Sequence, residues 1–290
     1  MLEKILVPLD GSPLSDRIVS HLTRLLVRSD ALVTLVEVVP SDRVRKDRAP
    51  ERVLAESKAH LEKVAAPLRQ GGARVETRVL CGDPAERILI ESIESGDSLI
   101  VMATHGRTGV ERWTRGSVAE RVLREARIPI LLANPFGLDE SKGPKQLRFA
   151  KILVPLDGSE KAAAILPYVS RLAQLYESEV TLHYSIPIVA PVEGAPPLVM
   201  TEDEARTLLA PFQKRLEGVK TRLSVSVGDP AVAVLELAEK DHFDLVAMTT
   251  HGRTGFSRWV WGSVAEHVLR HARCPLLVHR TAAAPTQATE

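Results

Sequence analysis

The sequence predicts an α/β protein made of two tandem domains, each a doubly wound, five-stranded parallel sheet. Two observations support this prediction: the chain repeats itself, and within each repeat short apolar runs alternate with longer amphipathic stretches. Alternation of strand and helix throughout a domain is typical of a parallel sheet that helices cover on both faces. The length of 290 residues fits two domains of ordinary size.

The duplication is visible as motifs that occur twice in the same order. The sequence KILVPLDGS begins at Lys4 and again, unchanged, at Lys151. THGRTG begins at Thr104 and again at Thr250, and the shorter motifs GDPA and GSVAE also occur once in each half. Self-similarity of this kind indicates a tandem repeat of one structural unit. The chain is therefore predicted to be a duplicated domain.

The positions of the motifs set the expected domain boundaries. The first domain is predicted over residues 1–134 and the second over residues 149–283. The segment between them, 135–148, combines Pro, Gly, Ser and charged residues, which is typical of a linker. Residues 284–290 are expected to form a flexible tail.

In the first repeat, the spacing of apolar residues predicts the elements one after another. The runs 5–9 and 32–38 are short and rich in β-branched residues, which is typical of strands buried on both faces. Between them, Ile18, Leu22 and Leu25 recur at helical spacing, which predicts a helix over 13–28. The remaining elements alternate, in the order helix 50–70, strand 74–80, helix 84–95, strand 98–103, helix 117–125 and strand 130–133. The second repeat follows the same order, with strands near Lys151, Val180, Leu223, Leu245 and Leu276.

The composition excludes several classes of function. Lys and Arg number 38 against 37 Asp and Glu, which gives a net charge of +1, whereas a dedicated nucleic-acid binder normally carries a basic excess. No apolar run reaches the roughly 20 residues that a membrane helix needs, and the first residues lack a signal-peptide pattern. Cys81 and Cys274 are too few for a disulfide framework and are expected to be buried. We therefore expect a cytoplasmic protein with neither nucleic-acid nor membrane partners.

Two aspartates are candidates for ligand binding. In a doubly wound sheet, ligands bind at the carboxyl ends of the strands, where the strand order reverses. Asp10 and Asp157 end the first strand of each repeat, and a carboxylate at that position can accept hydrogen bonds from sugar hydroxyls. Both aspartates precede Gly and Ser, so the alternative interpretation is a turn that caps the next helix.

A glycine-rich loop follows the fourth strand of each repeat and ends at Gly116 and Gly262. Glycines let backbone N–H groups approach a phosphate closely, and the helix that follows offers unpaired N–H groups and the positive end of its dipole to an anion. Ordinary helix capping explains one such turn, but the arrangement occurs twice after the same strand. Arg107 and Arg253 in these loops are interpreted either as phosphate ligands or as solvated loop residues.

These residues resemble the universal stress protein family in its tandem two-domain form. The ATP-binding members of that family carry G-x-x-G, nine further residues and G-(S/T), together with the aspartate on the first strand. The residues that match this pattern are Gly106, Gly116 and Ser117 in the first repeat, and Gly252, Gly262 and Ser263 in the second. The first glycine is replaced by Ala103 and by Thr249. The resemblance implies a Rossmann-like fold of the adenine nucleotide alpha hydrolase type.

The resemblance also implies one nucleotide site in each repeat. Asp10 would contact the ribose, Val38 the adenine through its backbone, and the glycine loop the phosphates. The implied set in the first repeat is Pro8, Leu9, Asp10, Val38, Ala103, His105, Gly106, Arg107, Gly109, Gly116, Ser117 and Val118. The implied set in the second repeat is Pro155, Leu156, Asp157, Ser185, Thr249, His251, Gly252, Arg253, Gly255, Gly262, Ser263 and Val264. The spacing of His, Cys and acidic residues predicts no metal site, so any Mg²⁺ is expected to arrive with the phosphates of ATP.

We therefore expect an ATP-binding, nucleotide-dependent regulator of the stress response that is at most a slow ATPase. A Walker lysine motif, a Gly-x-Ser-x-Gly turn and a catalytic carboxylate pair are absent from the sequence. The alternative is a protein-interaction scaffold of the same fold that has lost nucleotide binding with the first glycines. A third option, an adenylating ligase, would need a further domain that the sequence does not predict.

The resemblance finally suggests how the repeats associate. An uncovered edge strand tends to find a partner, and the family pairs its domains through the fifth strands, here 130–133 and 276–279. We expect this pairing within the chain. A homodimer and unidentified protein partners are further expectations.

Overall fold

The computed structural model describes residues 2–26, 29–46, 49–103, 117–133, 149–188, 200–250 and 262–281. The chain divides into two compact units, Met1–Arg148 and Phe149–Glu290. Each unit contains five parallel strands with helices between consecutive strands, which confirms the predicted fold class. The predicted linker 135–148 and tail 284–290 lie outside the described residues.

The first unit follows the predicted order of elements. Its helices and strands are β1 (Lys4–Leu9), α1 (Pro13–Asp16), α2 (Ile18–Leu26), β2 (Leu32–Val39), α3 (Ser41–Lys46), α4 (Pro50–Gln70), β3 (Arg74–Cys81), α5 (Pro84–Glu94), β4 (Leu99–Ala103), α6 (Ser117–Glu125) and β5 (Ile130–Ala133). The strands lie in the order β3-β2-β1-β4-β5. All of the described pairs between them are parallel.

Two local features of the first unit differ from the sequence prediction. The single helix expected over 13–28 is divided into α1 and α2, and Arg17 is the C-cap residue of α1. The segment after β2, for which no element was predicted, forms the short helix α3. Both differences concern a single turn of backbone, which apolar spacing does not resolve.

The second unit repeats this architecture. Its elements are β6 (Lys151–Pro155), α7 (Glu160–Ala163), α8 (Leu166–Tyr176), β7 (Glu179–Ile186), α9 (Glu202–Lys214), β8 (Lys220–Val227), α10 (Pro230–Lys240), β9 (Leu245–Thr249), α11 (Ser263–His271) and β10 (Leu276–His279). The strands lie in the order β10-β9-β6-β7-β8. This order is the same as in the first unit, with β6 in the central position of β1.

The order of the strands defines a switch point in each sheet. From β1 the chain runs outward through β2 to β3, and then returns to β4 on the other side of β1. In the second unit, β6 and β9 flank the corresponding point. Connections that leave in opposite directions open a crevice at the carboxyl ends of the two strands, where open α/β sheets bind ligands.

The burial of the strands follows their place in the sheet. The central residues of β1, Ile5, Leu6 and Val7, are fully buried, as are Ile152 and Leu153 of β6. The edge strands β3 and β8 instead alternate between more and less exposed residues. Strands covered by helices on both faces form continuous apolar runs, and edge strands keep contact with solvent. The core therefore lies around the strand that carries the candidate aspartate.

The cysteines correct one expectation. Cys81 is exposed, because it is the last residue of the edge strand β3, so the prediction that it is buried is wrong. Cys274 is partly exposed as a residue, while burial of its thiol raises the pKa to about 11. That thiol is therefore protonated at neutral pH. Among the described residues, none of the helices has the length and apolar composition that a membrane crossing requires.

Candidate functional site

The carboxyl edge of each sheet brings several of the predicted site residues together. The pairing of Leu6 with Ile100, continued along β1 and β4, places Leu9 beside Ala103. Asp10 therefore follows directly at the switch point. On the other side of β1, Leu9 pairs with Glu37, so Val38 lies level with Asp10. These positions, which are far apart in the sequence, share one edge.

The second unit has the same arrangement. The pairing of Leu153 with Val246, continued along β6 and β9, places Leu156 beside Thr249. Asp157 follows Leu156 at the switch point, and Thr249 is buried where Ala103 is only half-buried. The two residues that replace the expected first glycine therefore lie directly next to the strand that carries the aspartate.

Part of the predicted set lies outside the described residues. These residues are His105, Gly106, Arg107, Gly109 and Gly116 in the first unit, and His251, Gly252, Arg253 and Gly255 in the second. The described members are Pro8, Leu9, Asp10, Val38, Ala103, Ser117 and Val118, and Pro155, Leu156, Asp157, Ser185, Thr249, Gly262, Ser263 and Val264. The role of the glycine-rich loops stays a prediction.

The aspartate of each unit takes part in a turn. Oδ1 of Asp10 accepts a hydrogen bond from the N–H of Ser12 at 3.0 Å, and Gly11 between them has φ 76°. A positive φ is accessible to glycine at little cost, which explains the Asp-Gly-Ser order. Oγ of Ser12 then accepts from the N–H of Ser15 and caps α1. The turn interpretation is thus realised, and it orients a half-buried carboxylate at the switch point.

The turn of the second unit matches that of the first. Oδ1 of Asp157 accepts from the N–H of Ser159 at 2.9 Å, and Gly158 has φ 80°. Oγ of Ser159 accepts from the N–H of Ala162 and caps α7. Because both copies adopt the same geometry, the repeated KILVPLDGS motif encodes a strand, a turn and a helix cap as one structural unit.

The surface beside the predicted adenine position differs between the units. In the first unit, Val36, Val38 and Leu80 form it, and all are apolar. In the second unit, Oγ of Ser185 lies 3.1 Å from Nε2 of His183, and Oγ of Ser226 lies 3.2 Å from the same nitrogen. Burial lowers the pKa of His183 to about 4, so the imidazole is neutral at physiological pH.

Sequence reasoning did not single out His183 or Ser226. The alternation of polar residues in HYS of β7 and SVS of β8 is a signal that could have found them, because residues two apart lie on one face of a strand. Only the pairing of Ser185 with Ser226 across the two strands shows that the polar residues meet.

The start of α11 is the described part of the predicted phosphate site. Gly262 is the N-cap residue and offers no side chain to the first N–H groups of the helix. Its own N–H donates to the carbonyl of Thr250 at 3.0 Å, directly after β9. Ser263 is exposed and Val264 half-buried. The beginning of α11 is thereby fixed to the sheet edge that carries Thr249.

A close approach to Thr250, and not the backbone conformation, disfavours a side chain at position 262. The φ of Gly262 is −56°, which other residues adopt readily. A Cβ atom at this position would lie 3.3 Å from the carbonyl oxygen of Thr250. A side chain there would therefore crowd both the end of β9 and the space in front of the helix.

A charged cluster that sequence analysis did not identify connects the aspartate turn to the sheet of the first unit. Nε2 of His60 on α4 lies 3.0 Å from Oδ1 of Asp16 on α1, and Nδ1 lies 3.0 Å from Oε2 of Glu37 on β2. Oγ of Ser57 donates to the other oxygen of Glu37. Burial by itself would lower the pKa of His60, but the hydrogen bonds and charges of Asp16 and Glu37 outweigh it and raise the pKa above 6.5. One imidazole thus holds three elements near the site.

We expect His60→Leu to destabilise the protein by about 1 to 2 kcal/mol near pH 6, because Glu37 would stay buried with Ser57 as its one remaining side-chain partner among the described residues. The folded pKa of His60 is raised, so its contribution is complete below pH 6.5 and disappears as the pH rises through the folded pKa. Urea unfolding across this range would measure the effect. Ala59→Leu, at an exposed neighbouring position of α4, is the matched control. A His60→Leu protein with the stability and pH profile of the wild type would contradict this role.

Within the part of the chain that the structure describes, His, Cys, Asp and Glu form no group of three or more that could hold a metal ion.

Comparison with known proteins identifies relatives along the whole chain. The Universal stress protein family matches residues 1–134 and 148–280. A universal stress protein of Methanocaldococcus jannaschii is 36% identical over 138 residues, which cover 45% of this chain and 81% of that protein. One from Mycolicibacterium smegmatis is 28% identical over 296 residues, 95% of this chain and 96% of that protein. In structure, a universal stress protein from Archaeoglobus fulgidus has the same fold, with a TM-score of 0.77 and 20% identity over 97% of this chain and 99% of that chain.

Proposed function

The chain belongs to the universal stress protein family, and on that premise we propose that it binds ATP at the carboxyl edge of each sheet. We further propose that it acts as a nucleotide-dependent regulator of a stress response without efficient turnover. Family membership supplies the fold and the tandem organisation. The nucleotide and the regulatory role are inferences from the geometry of the two edges.

One observation carries the proposal: the aspartate turn and the start of α11 lie at the same switch point. Asp157 follows Leu156, Leu156 lies beside Thr249, and the next carbonyl along the chain, that of Thr250, accepts from the N–H of Gly262. A carboxylate suited to sugar hydroxyls and backbone N–H groups suited to phosphate thus flank one crevice. A nucleotide carries both groups.

The chemistry of the edge supports binding better than catalysis. One oxygen of Asp10 and one of Asp157 are engaged in the turns, which favours a fixed acceptor over a base that activates water. The helix start would hold the phosphates through backbone N–H groups and its dipole. Any Mg²⁺ would be bound through the phosphates of ATP. In this proposal, ATP acts as a regulatory ligand and not as a substrate.

The experiment that tests the function begins with the protein as purified. Denaturation followed by chromatography identifies any nucleotide that it carries, and calorimetric titration of the nucleotide-free protein with ATP counts the sites. We expect adenine nucleotide, two sites in each chain and slow hydrolysis. A well-folded protein that carries no nucleotide and shows no ATP binding would favour the protein-interaction scaffold.

We expect the first unit to bind ATP about tenfold more tightly than the second. Ala103 adds one methyl group where Thr249 adds a β-branched side chain, and Val38 lines the adenine position where Ser185 is held by a polar network. Exposed Arg43 on α3 also raises the local positive potential for a polyanion. Titration of the intact chain should therefore resolve two affinities.

Thr249→Ala provides the matched test of this asymmetry, since it gives the second unit the residue of the first. It should tighten only the weaker ATP site. Equal affinities in the wild type, or a stronger second site, would show that other residues outweigh these differences.

A further inference from the structure

The helix α11 carries two exposed histidines one turn apart, His267 and His271. Residues four apart lie on the same face of a helix. The two imidazole rings are stacked, with centroids 4.3 Å apart and an angle of 29° between their planes. Two surface imidazoles are therefore already in contact, with solvent on their outer side.

A backbone contact selects the tautomer of the neutral His271 ring. Its Nδ1 lies 2.8 Å from the carbonyl oxygen of His267. A carbonyl oxygen only accepts hydrogen bonds, so Nδ1 carries the hydrogen and Nε2 of the neutral ring keeps its lone pair. Histidines that bind metals commonly donate their other N–H to a backbone carbonyl in this way. This tautomer of His271 is therefore compatible with metal binding through Nε2.

The corresponding positions of the first unit show that the fold does not require histidine there. The repeated GSVAE motif aligns His267 with Arg121 and His271 with Glu125. Nε of Arg121 lies 3.5 Å from Oε1 of Glu125, which is an ordinary ion pair along a helix. In the second unit, both members of that pair are histidine. The pair therefore represents a change of surface chemistry on an otherwise repeated helix.

The surroundings favour a cation at this position. α11 ends at His271, and the last turn of a helix presents free carbonyls and the negative end of its dipole. The neighbouring guanidinium groups are neutralised, since Arg270 pairs with Glu266 and Arg273 pairs with Glu239. Repulsion of a bound cation by these arginines is therefore largely cancelled.

We propose that His267 and His271 chelate a divalent late transition metal ion, of the class of Ni²⁺, Cu²⁺ and Zn²⁺. Imidazole nitrogens suit these ions, and the two exposed rings would turn out of their stacked arrangement so that one nitrogen of each lies about 2.0–2.1 Å from a Zn²⁺ ion. Water would complete the coordination. His267 and His271 lie five and nine residues after Gly262, so the pair occupies the second half of α11, about 7 to 13 Å along the helix axis from Gly262. The proposal therefore does not depend on nucleotide binding.

The test is calorimetric titration of the intact, nucleotide-free protein with Ni²⁺ at neutral pH. The wild type should bind one ion at this pair. His267→Gln and His271→Gln should each weaken that binding by about tenfold or more, because chelation by two rings becomes binding by one. The double variant H267R/H271E restores the ion pair of the first unit, so it should keep the fold and lose the site.

His242→Asn is the matched control, because His242 is exposed but has no histidine one turn away, and asparagine tolerates its φ of 53°. This variant should bind Ni²⁺ as the wild type does. The proposal is overturned if H267R/H271E, folded by circular dichroism, binds Ni²⁺ with unchanged affinity and stoichiometry. It is equally overturned if the wild type fails to bind Ni²⁺, or if His242→Asn removes the binding.

Discussion

Replacement of Gly262 by valine is expected to weaken ATP binding at the second unit by about 100-fold, which corresponds to ~2.7 kcal/mol. The Cβ atom would lie 3.3 Å from the carbonyl of Thr250, and the branched side chain would cover the first N–H groups of α11. Phosphate binding at a helix start depends on close backbone approach, which a glycine favours. Gly116→Val is expected to act in the same way on the first unit.

Calorimetric titration of the intact chain with ATP measures this loss. Gly71→Val is the matched control, because a Cβ atom at Gly71 would also lie 3.3 Å from a backbone carbonyl, that of Leu68, but at the end of α4 before β3 begins. It should carry a comparable structural cost and leave ATP binding unchanged. If Gly262→Val and Gly116→Val both keep full ATP affinity in a folded protein, the assignment of the helix starts to phosphate is wrong.

Replacement of Asp97 by leucine is expected to stabilise the protein by about 2 to 3 kcal/mol at neutral pH. Asp97 is 6% exposed, and neither carboxylate oxygen has a hydrogen-bond partner among the described residues. The backbone N–H of Asp97 donates to the carbonyl of Ser92, and in the second unit Phe243 makes the same bond to Ala238. Phe243 is buried as well, so the position accepts a large apolar side chain where the first unit has an acid.

The cost of this carboxylate depends on pH. Burial, and next the charge of Glu91, raise the pKa of Asp97 from 3.8 to about 6, against the opposing charges of Lys4 and Arg78. The native state therefore binds the proton more tightly than the unfolded state between these values. Stability from this group falls as the pH rises from about 4 to about 6 and is constant above that range. This rise in the pKa of Asp97 corresponds to a loss of about 3 kcal/mol in the free energy of unfolding.

Urea unfolding of the wild type and Asp97→Leu at about pH 5 and about pH 7 would separate the two effects. The variant should be more stable than the wild type at neutral pH. It should also lack the part of the loss of stability between these two pH values that Asp97 causes. Glu94→Leu, at an exposed position in the same turn, is the control and should change stability by less than about 0.5 kcal/mol. A destabilised Asp97→Leu protein would show that the carboxylate has a partner that compensates its burial.

The duplicated fold could be predicted from local patterns. Short β-branched runs, helical spacing and repeated motifs are properties of neighbouring residues, and they determine strands, helices and their order. The Asp-Gly-Ser motif likewise contains its own turn, because Asp10, Gly11 and Ser12 form it without help from distant residues. The division between α1 and α2 and the exposure of Cys81 were missed, since each depends on a single residue at the end of an element.

The sequence by itself thus determined the tandem α/β architecture, and it predicted the sheet edge at which a ligand would bind. Tertiary structure alone decided which charges are buried and what faces them. His60 meets Asp16 and Glu37, Ser185 meets Ser226, and Asp97 lies in a position that is apolar in the other unit. Crossover connections bring these residues together from distant parts of the chain. The energy of a buried polar group depends on its neighbours in space. The order of residues along one strand or helix does not specify those neighbours.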